Sequence, residues 1–174
     1  MRLILFFSIF ILTATPLMAQ EEDAVYQLTR QERRAESYQR FKSLVETGSF
    51  QFVAVWGVPQ AGSRIDLNGN NNYIRFQENE VDTFLQYFGR VYSGRLANSG
   101  NGGIVFQGGV EQWEVRYDEK KRRIDYRFNF RNSPESFEIT LRITDGGGAS
   151  VTVSSNQRDS MTFDGYIEPL EARG

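Results

Sequence analysis

The stretch EQWEVRYDEKKRRIDYRFNFRNSPESFEITLRITDGGGASVTVSS, residues 111–155, decides the fold. Trp113, Val115 and Tyr117 alternate with Gln112, Glu114 and Arg116. Ile124, Tyr126, Phe128 and Phe130 alternate with Arg123, Asp125, Arg127 and Asn129. Phe137, Ile139, Leu141 and Ile143 alternate with Glu138, Thr140, Arg142 and Thr144. Successive side chains of an extended chain point to opposite faces, so each run has one apolar and one polar face. Asp118-Glu119-Lys120-Lys121, Asn132-Ser133-Pro134 and Asp145-Gly146-Gly147-Gly148 separate the runs with turn formers. Short strands at roughly ten-residue intervals with turns between them predict an antiparallel meander.

The pattern continues outward in both directions. Val151 and Val153 alternate with Ser150, Thr152 and Ser154, and Met161, Phe163 and Tyr166-Ile167 follow. Upstream, Phe50 to Trp56 is rich in aromatic and β-branched residues and apolar on both faces, as a covered strand is. Trp56 to Gly62 reads as a loop. Arg64 to Leu67 and Tyr73 to Gln77 flank the turn run Asn68 to Asn72, and Val81 to Gln86 and Gly89 to Tyr92 look extended. Ser93 to Gly103 is the longest segment expected to be flexible. About ten strands are too many for one small flat sheet, so the expected fold is all-β, a sheet curled into a barrel or folded as a sandwich. One amphipathic helix precedes it, over residues 30–46. Thr29 and Glu32 form a capping box, Tyr38, Phe41 and Val45 make the apolar stripe, and Gly48 is the stop. The helix covers an open end or a sheet face. A membrane-spanning barrel also alternates, but these strands are shorter than the roughly 9–11 residues it needs.

The N-terminus has the layout of a secretory signal: Met1-Arg2, an apolar run Leu3 to Leu12, a break at Thr13 to Pro16, and small Ala19 at the cut. The expected organisation is a signal peptide at 1–19, a loose acidic segment at 20–29, one barrel domain at 30–168 and a tail at 169–174. No cysteine follows the cut for lipid attachment, so the expectation is an exported, periplasmic or else extracellular protein with no membrane span after cleavage. The chain contains neither cysteine nor histidine. Disulfides, thiol nucleophiles and imidazole catalysis are therefore excluded. The net charge is −2, which gives no basis for nucleic-acid binding. The sequence implies no metal and no cofactor.

Leu85-Gln86-Tyr87-Phe88-Gly89-Arg90-Val91-Tyr92, Gly103-Ile104-Val105-Phe106, Gly148 to Arg158 and Thr162 to Ile167 together resemble a family of exported proteins from Bacteroidetes-type bacteria, catalogued as domain of unknown function 4251. The resemblance runs from about Arg30 to Ile167. Family members usually carry Pro where this chain has Gln86. The resemblance implies a lipocalin-like antiparallel barrel and a signal peptide, and it supplies no activity or catalytic residue to carry over.

Several groups of residues suit either chemistry or packing. Tyr87, Phe88, Arg90 and Tyr92 around Gly89 fit a ligand mouth, with rings as walls and Arg90 for an anion; more simply, they fit a strand bend at Gly89 with Phe88 and Tyr92 filling the core. Arg158 reads as an anion ligand or, more simply, as a residue tied to a carboxylate near a barrel end. Trp113 and Tyr126 stand on core stripes that would also line a cavity, and a buried Tyr126 hydroxyl needs a partner. Glu78, Glu80 and Asp82, or Glu111 and Glu114, offer paired carboxylates or a solvated hairpin edge. Asp66 to Gln77 fails as a calcium loop at its sixth and twelfth positions. Gly100 to Gly103 lacks the following Lys-Ser/Thr of a phosphate loop. Lys120 to Arg123 is a charged hairpin tip.

The expected function is a non-catalytic barrel that binds a small apolar or amphipathic molecule through Tyr87, Phe88, Arg90, Tyr92, Trp113, Tyr126 and Arg158. The alternatives are a packed barrel that meets an envelope protein, and a hydrolase with paired carboxylates. A cavity lined by Trp113, Tyr126 and Phe128 favours the first. A filled barrel with an exposed apolar patch favours the second.

Overall fold

The computed structural model describes the backbone of residues 17–92 and 103–170, with side chains from residue 29 onward. Residues 93–102 of the segment expected to be flexible, most of the expected signal peptide and the end of the tail lie outside the described residues. The chain divides into two units, Met1–Arg33 and Arg34–Gly174.

A helix, α1, spans Leu17–Glu46. It begins well before residue 30, so the segment expected to be loose is helical and the Thr29–Glu32 pair sits inside a helix rather than capping one. The reason is local: residues 17–28 are mostly good helix formers without Gly or Pro, and Pro16 precedes them. Among the described residues of the second unit ten strands follow: β1 (Ser49–Pro59), β2 (Ile65–Asp66), β3 (Tyr73–Gln77), β4 (Glu80–Gln86), β5 (Gly103–Gly109), β6 (Glu111–Asp118), β7 (Arg123–Asn132), β8 (Glu135–Thr144), β9 (Gly148–Ser155) and β10 (Met161–Pro169). They form one antiparallel sheet in the order β5-β4-β3-β1-β10-β9-β8-β7-β6, with β2 beside β1. The sheet curls into a nearly closed barrel.

The meander predicted from residues 111–155 is present with its faces as read. Ile124, Tyr126, Phe128, Phe130, Phe137, Ile139, Leu141, Ile143, Val151 and Val153 all point inward and are buried. The strands are longer than expected, β1, β7, β8 and β10 running 9–11 residues, so length does not separate this sheet from a membrane barrel; its outward residues Glu114, Arg116, Asp125, Arg127 and Arg142 do, because they line a charged outer surface, the reverse of a lipid-facing barrel. One local reading differs. β1 continues through Gly57 and Val58 to Pro59, where a loop was expected, because all three still pair with β10 (Gly57 with Phe163, Val58 with Thr162, Pro59 with Met161). Ladder pairing overrides the turn preference of Gly and Pro, and Pro59 is tolerated as the last residue of the strand.

The barrel interior is an interlocked set of rings. Phe50 stacks on Phe76 at 4.5 Å, Phe76 meets Tyr126 and Phe128 edge-on at 5.0 and 5.6 Å, and Phe130 stacks on Phe137 at 4.7 Å and on Phe106 at 4.2 Å. These offset and T-shaped arrangements suit the ring quadrupoles. Within the second unit, the end of α1 closes one barrel mouth. Tyr38 and Val45 join the buried core, the Phe41 ring lies over Gly147, and Arg34 bonds Asp145 at 2.6 Å.

Candidate functional site

The site begins with one strand that changes partners. β5 ends at Gly109 and β6 starts at Glu111, so the two are halves of a single strand bent at Val110. The first half pairs only with β4, from Gln86–Gly103 to Glu80–Gly109. The second half pairs only with β7. The bend has backbone causes: Gly108 has φ 147°, Gln112 has φ 47°, and the β6–β7 register slips between Glu111 and Glu114. A bulge of this kind sharpens the turn of a strand and re-aims its side chains.

Changing partners leaves each half with one unpaired edge and uncovers the inner face of β6. The β3–β4 hairpin stops at Glu80, level with Gly109, so β6 runs on past its tip. Val115 faces Tyr126 across the ladder and Tyr117 faces Ile124, which places the Trp113/Val115/Tyr117 stripe on the inner side. Yet Trp113 is 46 % and Tyr117 36 % exposed. The expectation that this stripe is core is therefore corrected for Trp113 and Tyr117: their direction is inward, but among the described residues no strand stands opposite them, while Val115 still packs against the core. Trp113 meets Tyr126 edge-on at 5.7 Å. From α1, Lys42 lies 5.3 Å from the Tyr117 ring and bonds Glu119 at 2.7 Å.

Three tyrosine hydroxyls gather here. Burial pushes the Tyr126 hydroxyl far above the usual tyrosine range, and Tyr117 adds to the shift. Burial also raises Tyr117, followed by the Glu46 carboxylate. Tyr38 is raised by burial and then by Glu119. All three stay neutral donors through ordinary pH. The Tyr38 hydroxyl is buried and bonds to nothing, and the Thr83 hydroxyl on the inner face of β4 is in the same state. A buried polar atom left without a partner costs about 1–3 kcal/mol.

The other expected ligand residues lie elsewhere. Arg158 forms a bidentate ion pair with Glu135 (2.7 and 2.8 Å), the two side chains being 9 % and 2 % exposed. Ser155 also donates to Glu135. The Arg158 guanidinium lies over the Tyr87 ring at 4.9 Å and near the Phe137 ring at 5.6 Å. The Tyr87 hydroxyl donates to the carbonyls of Arg90 and Asp159 at 2.9 Å each, and burial, then the Asp159 charge, pushes it up to about 12. Val91 bridges Arg158, and Tyr92 bonds Asp159. Residues 87–92 thus strap the β9–β10 turn instead of forming a strand of the sheet. Phe88 and Tyr92 are exposed rather than filling the core, and Arg90 faces solvent. The structure joins Tyr87 to Arg158 and Trp113 to Tyr126, as two clusters rather than one.

Of the carboxylates, Asp82 is held by the Tyr73 hydroxyl and lies 3.6 Å from Arg75, while Glu111 and Glu114 straddle the bulge. Among the described residues, no group of three or more acids could hold a metal ion, and no described helix is long and apolar enough to cross a membrane. Sequence reasoning missed Tyr38 as a site residue. Tyr38 read as helix stripe, and nothing in a single sequence signals that a buried hydroxyl lacks a partner.

This geometry defines a class: a small antiparallel barrel closed by one bent strand, with a helix over one mouth and an aromatic cleft beside the bend. Residues 32–167 match the family described as Domain of unknown function (DUF4251), and the chain belongs to that family. The crystal structure of a DUF4251 family protein from Bacteroides eggerthii DSM 20697 shares the fold, with a TM-score of 0.60 and 24 % identity over 78 % of this chain and 89 % of that one. No curated protein matches the chain.

Proposed function

We propose that this is a non-catalytic binding protein that takes a small amphipathic molecule in the cleft beside the bent strand. The observation that carries this reading is an inward-facing aromatic stripe, Trp113 and Tyr117, left half-open next to the buried, unpartnered Tyr38 hydroxyl. The apolar part of the ligand packs on Trp113, Tyr117 and Tyr126, and its polar end accepts a hydrogen bond from Tyr38. Apolar walls with a few convergent polar groups are what small-molecule sites use. The interlocked rings of the barrel core make the ligand lie along β6 rather than in a hollow centre. The test uses a Trp56→Phe variant, in which Trp113 is the sole tryptophan. Dodecanoic acid should shift its emission saturably, and a Tyr38→Phe change should weaken the response. No saturable shift contradicts the reading.

A second reading has its own observation. Among the described residues β5 and β6 each have one edge without a partner strand; on β5 the Val105 carbonyl is taken by Asn132 Nδ2 at 3.0 Å, and the β6 edge offers main-chain groups to an added strand from an envelope protein. A shift in backbone amide signals of residues 111–118 upon complex formation, with none on adding dodecanoic acid, would favour it.

We also infer export, on the signal-like layout of Met1 to Ala19. Fractionation of an expressing Gram-negative host should place the protein outside the cytoplasm with Gln20 as its first residue. A cytoplasmic chain that keeps Met1 overturns this.

A further inference from the structure

The outer face of the barrel carries a second concavity, of about 490 Å³, within the usual range of small-molecule sites. Its floor is a single row across four strands. Glu111 of β6 pairs with Asn129 of β7, Asn129 with Glu138 of β8, and Glu138 with Ser154 of β9. Directly paired residues share a face, so carboxylate, amide, carboxylate and hydroxyl stand side by side at roughly 4.8 Å intervals. The β6 bulge shapes one wall. Gln112, at φ 47°, brings its side chain to the same face, and its Oε1 accepts from Asn129 Nδ2 at 3.3 Å. A non-glycine residue in this conformation is strained and marks a place where the surroundings impose it. The Asn129 Oδ1 is buried and bonds to nothing. At the far wall Asn156 Oδ1 accepts from the Ser136 backbone N–H at 3.1 Å, which orients its amide.

We propose that this groove binds a neutral saccharide of one or two rings. A sugar presents neighbouring hydroxyls, each both donor and acceptor. The row answers with two acceptor-only carboxylates, amides that do both, and a hydroxyl. The unpartnered Asn129 oxygen is the acceptor that a sugar hydroxyl would satisfy. Glu138 lies 3.8 Å from Arg127, and Glu111 and Arg131 both line the groove, so its charge is near balance, which suits an uncharged ligand better than an anion. The rings of Phe130 and Phe137 point into the barrel and are buried, so the groove lacks the apolar wall an amphiphile needs. The residues are separate from the Trp113 cleft, and the proposal stands independently of it.

The test is amide-resolved NMR of the full chain, titrated to millimolar concentration with N,N′-diacetylchitobiose and, separately, cellobiose. Saturable shifts at residues 111–112, 129–131, 136–138 and 154–156 with either sugar are expected, with weaker ones for glucuronate. Asn129→Ala should weaken binding by about fivefold to tenfold, the worth of one hydrogen bond. If that variant unfolds, the isosteric Glu138→Gln serves: it should weaken the neutral sugar and strengthen glucuronate. Absence of saturable shifts with both sugars, shifts confined to the Trp113 cleft, or affinity unchanged in both variants overturns the proposal.

Discussion

Glu135 and Arg158 face each other almost out of reach of water where β9 turns into β10. Removing one member of such a pair leaves the other charge buried, so Glu135→Ala should cost about 3–5 kcal/mol in urea unfolding. A loss under about 1 kcal/mol, the worth of an exposed pair, would contradict the described burial. Tyr87 sits over the same guanidinium, and burial followed by the Asp159 charge pushes its hydroxyl up to about 12, above the ordinary tyrosine value of about 10. Because the shift is upward, the stability it adds is fully present below pH 10 and fades as pH rises to about 12. Tyr87→Phe should therefore flatten the fall of Tm over that window; an unchanged slope would mean the hydroxyl titrates normally. Tyr38 behaves differently. Its hydroxyl is buried without a partner, so Tyr38→Phe should leave stability unchanged or raise it by up to about 1 kcal/mol while weakening amphiphile binding. A clear loss of stability in the variant would show that the hydroxyl is satisfied.

At the scale of elements, close approach decides more than propensity. A Cβ on Gly165 would collide with the Val53 carbonyl, where β10 crosses the β1 irregularity between Ala54 and Trp56. Backbone cannot move aside as a side chain can, so Gly165→Ala should destabilise by about 1–3 kcal/mol. A neutral result in urea unfolding would place the strands farther apart. The strands of residues 111–155 were legible because strict alternation records a sheet buried on one side. The Glu135 partner of Arg158 was not, because a carboxylate 23 residues upstream leaves no local trace. The length of α1 was hidden by the capping box, a local signal that continuous helix formers on both sides override. Nor did the stripe Trp113/Val115/Tyr117 reveal its exposure, since alternation gives the direction of a side chain but not what stands opposite. The bend itself has a trace in Gly108-Gly109, a glycine pair ahead of the alternation that begins at Gln112, and such glycines mark bulges and sharp bends in strands.

For the whole molecule, the barrel holds itself together without disulfides, through interlocked rings that span β1, β3, β5, β7 and β8. The cost of closing the sheet with a strand that serves two partners is an open inner face on β6. A fully closed barrel would have buried Trp113 and Tyr117. The central claim is that this opening is a ligand site. Its most direct test compares native with denaturing mass spectra of the protein purified gently from an expressing Gram-negative host. The account predicts a bound mass that leaves on denaturation and is absent from a Trp113→Ala, Tyr117→Ala double variant that still folds. A clean apo mass that stays apo after incubation with a lipid extract would contradict it.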